Sequence, residues 1–258
     1  LGFPFRNFYS KEKPEETNLI FLGFIGMIDP PRKEVKEAVK QCKSAGIDVK
    51  IITGDSALTA IAIAKQIGIN GKTITESELE RMSDSDLINS KDGIAIFART
   101  TPHQKLRITQ ILQKKGEVVA ITGDGINDAL ALKSADVGIA MGKRGTDVAR
   151  DVSDIVLTDD NFASIVEGIK QGRKTYDNVK KFTKYLLAVN FSAIFLVLFS
   201  LIMGMPLPLL PLQILWMNLV TDSFPALTLV FEKAESVMNS KPRKEKSILN
   251  GIWKFNYS

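Results

Sequence analysis

The chain has 258 residues, 45% of them hydrophobic and 24% charged, enough to bury a packed core and too apolar for a disordered or collagen-like protein. The lone cysteine, Cys42, cannot close an intramolecular bridge, which excludes a disulfide scaffold. The formal net charge is +5, yet between Lys184 and Glu232 the only charged side chain is Asp222, a pattern that excludes a wholly soluble domain.

From Leu19 to Asn161, short apolar runs alternate with helical patterns. Strands are predicted at Ile20–Ile28, Val49–Ile52, Ile94–Ala98, Val118–Ile121, Val137–Met141 and Ile155–Leu157, with helices at Arg32–Ala45, Ser56–Ile67 and His103–Lys114. Such alternation predicts an α/β fold with a doubly wound, mostly parallel sheet. Asp29-Pro30-Pro31 and Thr101-Pro102 each set a capping side chain before proline in a first turn. Thr75–Gly93, polar and serine-rich, reads as a surface excursion.

Residues 161–184 are predicted to form a helix that continues into Leu186–Met205, a run without charge. That run is about 30 Å of helix, the thickness of a bilayer core. Leu209–Phe231 is a second apolar candidate, joined through Gly204-Met205-Pro206-Leu207-Pro208, so a transmembrane helical hairpin is expected. The alternative, a buried helical pair in a soluble protein, is disfavoured by these lengths. Lys170, Arg173, Lys174, Lys180, Lys181 and Lys184 precede the hairpin, and Lys241, Arg243, Lys244 and Lys246 follow it. By the positive-inside rule both flanks face the cytoplasm, in a multi-pass membrane protein in contact with lipid. The flanks also account for the basic balance without a nucleic-acid partner.

Ligands of doubly wound sheets bind beyond the carboxyl ends of strands, and Thr53-Gly54-Asp55 and Thr122-Gly123-Asp124 stand at two such ends. In the second, Asp124, Asn127 and Asp128 supply hard oxygens on one short loop, suited to Mg²⁺ shared with a phosphate. A capped strand-to-helix turn would use the same residue types. Lys105 adds a cation able to neutralise a phosphoryl oxygen, although a solvated helical lysine is the common case.

Asp29-Pro30-Pro31-Arg32, Thr53-Gly54-Asp55, Arg99-Thr100-Thr101-Pro102-His103-Gln104-Lys105 and Thr122-Gly123-Asp124-Gly125-Ile126-Asn127-Asp128 occur in that order, ahead of Leu215-Trp216-Met217-Asn218-Leu219-Val220-Thr221-Asp222. Together they resemble the phosphorylation domain and an ion-binding hairpin of a P-type cation-transporting ATPase, built on the haloacid-dehalogenase-like fold. The likeness is greatest to calcium pumps. The resemblance implies that Asp124 coordinates the catalytic Mg²⁺, with Asn127 and Asp128 holding the phosphorylation loop. It implies that Thr53 and Gly54 contact the phosphoryl group or the dephosphorylating water, that Lys105 stabilises the transferred phosphoryl, and that Asp55 and Arg99 lie near ATP or the hinge.

The same resemblance implies an aspartyl-phosphate intermediate, but the Asp-Lys-Thr-Gly that would carry it is absent from these residues, as is the actuator Thr-Gly-Glu. The expectation is therefore a part of a pump, inactive by itself. Residues 1–18 would be a remnant of the nucleotide-binding insert, 19–160 the phosphorylation domain, 161–184 a stalk helix, 185–231 two spans and 232–258 a truncated cytoplasmic loop. A membrane-anchored phosphatase of this fold and a non-catalytic pump remnant remain alternatives. Leu130 stands where the family commonly has proline.

Asp222 lies inside an apolar span, where a carboxylate costs roughly 2.5–3.5 kcal/mol on insertion scales and is by default functional. Asn218 and Thr221 add amide and hydroxyl oxygens, a hard set suited to Ca²⁺ or Mn²⁺. Pro225 loosens the backbone beyond. Asn190 in the first span is a further candidate, and the resemblance matches all four positions to calcium-pump ligands. Ala193 stands where two-site calcium pumps carry glutamate, which implies one divalent ion per cycle.

Overall fold

The computed structural model describes residues 2–5, 19–25, 30–90, 93–230, 238 and 242, without the side chains of 221, 222, 226, 227, 229 and 230. The chain divides into two units, Leu1–Arg32 and Lys33–Ser258. In the first, β1 (Gly2–Phe5) pairs antiparallel with β2 (Ile20–Phe24), with an irregularity between Phe3 and Pro4. The run expected over Ile20–Ile28 in a parallel sheet thus finds an antiparallel partner, and its last residues, like Asp29, lie outside the described residues. Periodicity identifies a strand but not the edge it pairs with.

The second unit is parallel α/β. One sheet has the order β3 (Ile51–Ile52), β5 (Ile94–Ala98), β4 (Lys72–Thr75). Another has the order β6 (Ala120–Gly123), β7 (Val137–Met141), β8 (Ile155–Leu157). All pairs within both sheets are parallel. Every residue of β5 is buried, as a central parallel strand covered on both faces requires. Ala95, Ile96 and Ala98 join one cluster with Val39 of α1 (Lys33–Ser44) and Ala60 and Ala64 of α2 (Ala57–Ile67). Ile94 and Phe97 join a second cluster with Ile108 and Ile111 of α5 (Pro102–Lys114). The winding is therefore double, as expected, but the strands form two three-stranded sheets rather than one.

In the stretch expected as a surface excursion, residues 75–90 fold into helices and contribute to the core. These are α3 (Glu76–Arg81) and α4 (Asp84–Asn89), each begun by a capping box: Thr75 with Glu78 and Ser83 with Asp86. Their Leu79 and Leu87 are buried in the cluster around Phe97, and Arg107 of α5 donates to the carbonyls of Leu79 and Met82 and to Asp84.

After β6 a 3₁₀ turn, Ile126–Asp128, leads into α6 (Ala129–Ser134). A short α7 (Asp147–Val152) joins β7 to β8. Then α8 runs unbroken from Phe162 to Ile202, about 60 Å at the usual rise. Asn161 caps it, accepting the Ala163 amide at 3.0 Å. Its first turns pack on α1 through Ala38, Cys42 and Val166, and Arg173 donates to the Ala45 carbonyl at 2.8 Å. Its far end is exposed and apolar, with Phe195, Leu198 and Ile202 uncovered. Among the described residues α8 is the helix long and apolar enough to cross a membrane. The chain turns at Gly204 (φ 67), and α9 (Pro211–Val230), with Pro225 inside it, packs back against α8.

Candidate functional site

The loops that leave β3, β5 and β6 build the site. Thr53 Oγ1 accepts the Asp55 amide at 3.1 Å, fixing Thr53-Gly54-Asp55 as a tight turn. The Thr53 amide donates to the Phe97 carbonyl, and the Thr53 carbonyl accepts both the amide and the hydroxyl of Thr100, each at 3.0 Å. Arg99 sits in the left-handed region at φ 57, which costs a non-glycine residue about 1–2 kcal/mol. In that geometry its amide reaches the Asp55 carbonyl at 2.9 Å.

Thr101 and Gln104 form the capping box that starts α5, with Pro102 in its first turn. Lys105 follows in the first turn of this fixed helix, and its Nζ donates to Asp128 Oδ1 at 2.6 Å. Both side chains are largely shielded, 17% and 15% exposed. Gly123 is required here: a Cβ at that position would lie 2.5 Å from Asp128 Cβ. The absence of a side chain lets Asp128 fold back over the end of β6, while its amide donates to the Gly125 carbonyl. The Asp124 backbone is held from the far side, its carbonyl accepting the Thr146 amide at 2.9 Å.

Thr53, Lys105, Asp124 and Asp128 line one cavity of about 480 Å³. It lies between β3 and β6, since Ile52 and Ala120, Ile121, Thr122 and Gly123 also line it. Gly54, Asp55, Arg99 and Asn127 are outside its walls. Arg99 lines a second cavity of about 510 Å³ with Ser56, Thr75 and Glu80, and Asn127 lies in the 3₁₀ turn. Cys42 also borders the first cavity. Burial pushes its thiol up against the opposing pull of Arg173, so the thiol stays protonated and serves as packing.

Asp124 and Asp128 are the carboxylates at the mouth of β6. Among the described residues no group of three or more His, Cys, Asp or Glu side chains surrounds a metal position. One or two carboxylates with room for waters and phosphate oxygens fit Mg²⁺, whereas Ca²⁺ asks for six to eight oxygens. In the helical hairpin, Asn190 donates to the Leu186 carbonyl and Asn218 is half-buried on α9. Thr221 and Asp222 fall within α9, but their side chains lie outside the described residues.

Residues 5–136 match the model of the haloacid dehalogenase-like hydrolases. The chain belongs to that family. Residues 206–256 of this haloacid dehalogenase-like hydrolase match a second model, the C-terminus of cation transporting ATPases. It is 47% identical to calcium-transporting ATPase 1 of Bacillus cereus over 96% of its own length and 29% of the relative's. It is 44% identical to the endoplasmic reticulum calcium ATPase srcA of Aspergillus fumigatus over 92% of its length and 25% of that protein's. The crystal structure of a zinc-transporting PIB-type ATPase in an E2.Pi state superposes with a TM-score of 0.56 at 26% identity, covering 82% of this chain and 28% of that one. The chain thus spans about a quarter of the length of the curated relatives it matches.

Sequence reasoning gave no role to Thr100 and Thr146, whose amides bond the Thr53 and Asp124 carbonyls. Thr146 carries a local signal, since it caps α7 by accepting the Ala149 amide. The bonds from Thr100 to Thr53 span 47 positions and leave no local trace.

Proposed function

We propose that the chain forms the phosphorylation domain and an ion-binding hairpin of an ATP-driven divalent-cation pump, with Ca²⁺ as cargo and Mn²⁺ as the nearest alternative. The observation that carries this is the convergence of Thr53, Lys105, Asp124 and Asp128 on one cavity between two parallel sheets. The strands that border it, β3 and β6, each pair on one side among the described strands. In this reading an extended segment ending in an aspartate enters between them. A carboxylate oxygen of that aspartate attacks the γ-phosphorus of ATP, forming an O–P bond as ADP leaves, and water later cleaves the acyl phosphate.

The chain's own groups position that transfer. Lys105, held by Asp128, presents its ammonium to the phosphoryl oxygens, and the Thr53 hydroxyl and Gly54 amide face the phosphoryl or the attacking water. Asp124 holds Mg²⁺, with Asn127 and Asp128 fixing its loop; the bound ion offsets charge on the transferring oxygens. Asp55 and Arg99 lie toward the nucleotide. Residues 19–160 would stand in the cytoplasm, 161–184 as a stalk and 185–231 as two spans, in contact with lipid and with the remainder of the pump. Asn190, Asn218, Thr221 and Asp222 would bind the cargo.

The test is cation-activated ATP turnover in a complete pump that carries these residues. Asp222→Asn should abolish it, because the amide keeps an oxygen but removes the one negative charge that offsets the divalent ion, while Ala193 should hold the stoichiometry at one ion per cycle. Unchanged ion dependence in Asp222→Asn would sink the cargo assignment.

A further inference from the structure

Asp160 lies between β8 and α8, 9% exposed and in the left-handed region at φ 52. Its Oδ1 accepts the Lys143 amide at 2.9 Å and its Oδ2 accepts the Arg144 amide at 2.8 Å. One carboxylate thus grips two successive amides of the loop that follows β7. The loop is held from other directions as well: the Gly142 amide donates to the Leu157 carbonyl at 2.8 Å, and Arg150 Nη1 donates to the carbonyls of Gly142 and Gly145. Gly145 leaves no room for a Cβ against the Met141 carbonyl. The next residue, Thr146, donates its amide to the Asp124 carbonyl at 2.9 Å.

On its other side Asp160 adjoins the start of the long helix. Asn161 caps α8 and donates to Glu34 of α1 at 3.2 Å, while Phe162 packs into the clusters formed by α1, α2 and β5. The sequence positions 160–162 therefore join three things: the loop that holds Asp124, the core of the first sheet, and the helix that leads toward the membrane.

We propose that Asp160 is a positioning residue for the Asp124 loop, tying the backbone of that loop to the first turn of α8. A shift at the start of α8 then pulls on residues 143–146 and, through the Thr146 amide, on Asp124. This inference rests on the reading of Asp124 as a Mg²⁺ ligand only for its consequence on ion affinity. The positional link itself stands on the hydrogen bonds. Hydrogen-bonded contiguity of this kind becomes coupling only when a perturbation at one end is read at the other.

The experiment compares the whole chain in detergent micelles with Asp160→Gly, which keeps the positive φ at no steric cost while removing both acceptors. Asp160→Asn, which tolerates the same backbone and retains one acceptor oxygen, serves if the glycine variant does not fold. Amide hydrogen exchange is read at Lys143, Arg144, Thr146 and Asp128, and Mg²⁺ affinity by calorimetry. Asp160→Gly should speed exchange about tenfold at Lys143 and Arg144 and several-fold at Thr146 and Asp128, and weaken Mg²⁺ binding about fivefold, with Asp160→Asn intermediate. Faster exchange confined to Lys143 and Arg144, with Asp128 and Mg²⁺ affinity unchanged, would overturn the proposal and leave Asp160 as a local cap. If the unaltered chain binds no Mg²⁺, the reading of Asp124 fails, while exchange at Thr146 and Asp128 still decides the role of Asp160.

Discussion

The two three-stranded sheets are both parallel, one ordered β3-β5-β4 and the other β6-β7-β8, and they are held together by different means. The sheet around β5 is sealed by apolar burial: its five residues are all buried between two hydrophobic clusters, one holding Ile96 with α1 and α2, the other Phe97 with α5. The sheet around β7 has a smaller core, Leu132, Ala140 and Ala149, and relies on carboxylates that bind backbone amides. Asp136, just before β7, accepts the Val119 amide and returns its own amide to the Val119 carbonyl. Asp154, just before β8, makes the same reciprocal pair with Gly138. Apolar burial is non-directional, whereas such hydrogen bonds fix backbone position. The sheet that carries Asp124 and Asp128 is the one built on directional contacts.

The largest effect that would test this contrast is in the first sheet. Phe97 is 4% exposed, so Phe97→Ala should cost about 3–5 kcal/mol of stability, as large-to-small changes in packed cores do. Chemical denaturation followed by far-UV circular dichroism in micelles measures it. A loss under about 1 kcal/mol would mean that β5 is not the apolar keystone of its sheet.

A smaller loss is expected where a polar clamp is cut. Asp154→Ala leaves the Gly138 amide without its carboxylate acceptor in a strand whose three central residues are buried. That should cost about 1–3 kcal/mol, the desolvation penalty of an unsatisfied donor. The distinguishing reading is local: exchange at Gly138 and Ile139 should accelerate, while β5 amides remain protected. Equal acceleration in both sheets would erase the distinction between them.

The contrast also explains what could be read in advance. Ile94–Ala98, Val137–Met141 and Ile155–Leu157 are strands over their full predicted lengths, although burial ranges from all of the first to Leu157 alone in the third. The strand over Lys72–Thr75 has one apolar side chain, Ile74, and acquires its identity from pairing with β5, so no periodicity announced it. The helices after it were not expected either: the stretch reads as a surface excursion, and the pairing of Thr75 with Glu78 and of Ser83 with Asp86 is a capping signal which that reading passes over. The strand expected to begin at Val118 begins at Ala120, since the Val119 amide is taken by the Asp136 carboxylate rather than by a ladder partner. In the site, Thr53, Lys105, Asp124 and Asp128 were legible as polar residues at strand ends and on a capped helix. The grip of Asp160 was not, because its partners are set by the closing of β7 against β8 and nothing in Asp159-Asp160-Asn161 marks one aspartate over the other.

Acid gives the smallest and most selective probe. The Lys143 amide, followed by those of Arg144 and Gly142, holds the Asp160 carboxyl below its ordinary value of 3.8 against the opposing effect of burial. A folded-state value below the unfolded one means that the unfolded chain binds the proton more readily, so stability falls as pH falls. The contribution is complete above pH 3.8 and is lost as pH drops below it toward the depressed folded value. The same sign applies to Asp84, held down by Arg107, and to Asp86, held down by Ser83. Amide exchange corrected for its intrinsic pH dependence should therefore be flat from neutrality to the ordinary carboxylate range. Below it, residues 143–144 and the α3–α4 segment should lose protection while β5, enclosed by apolar side chains, keeps it. Simultaneous loss across β5 would show that the two sheets open as one unit and that the polar clamps carry the apolar half as well as their own.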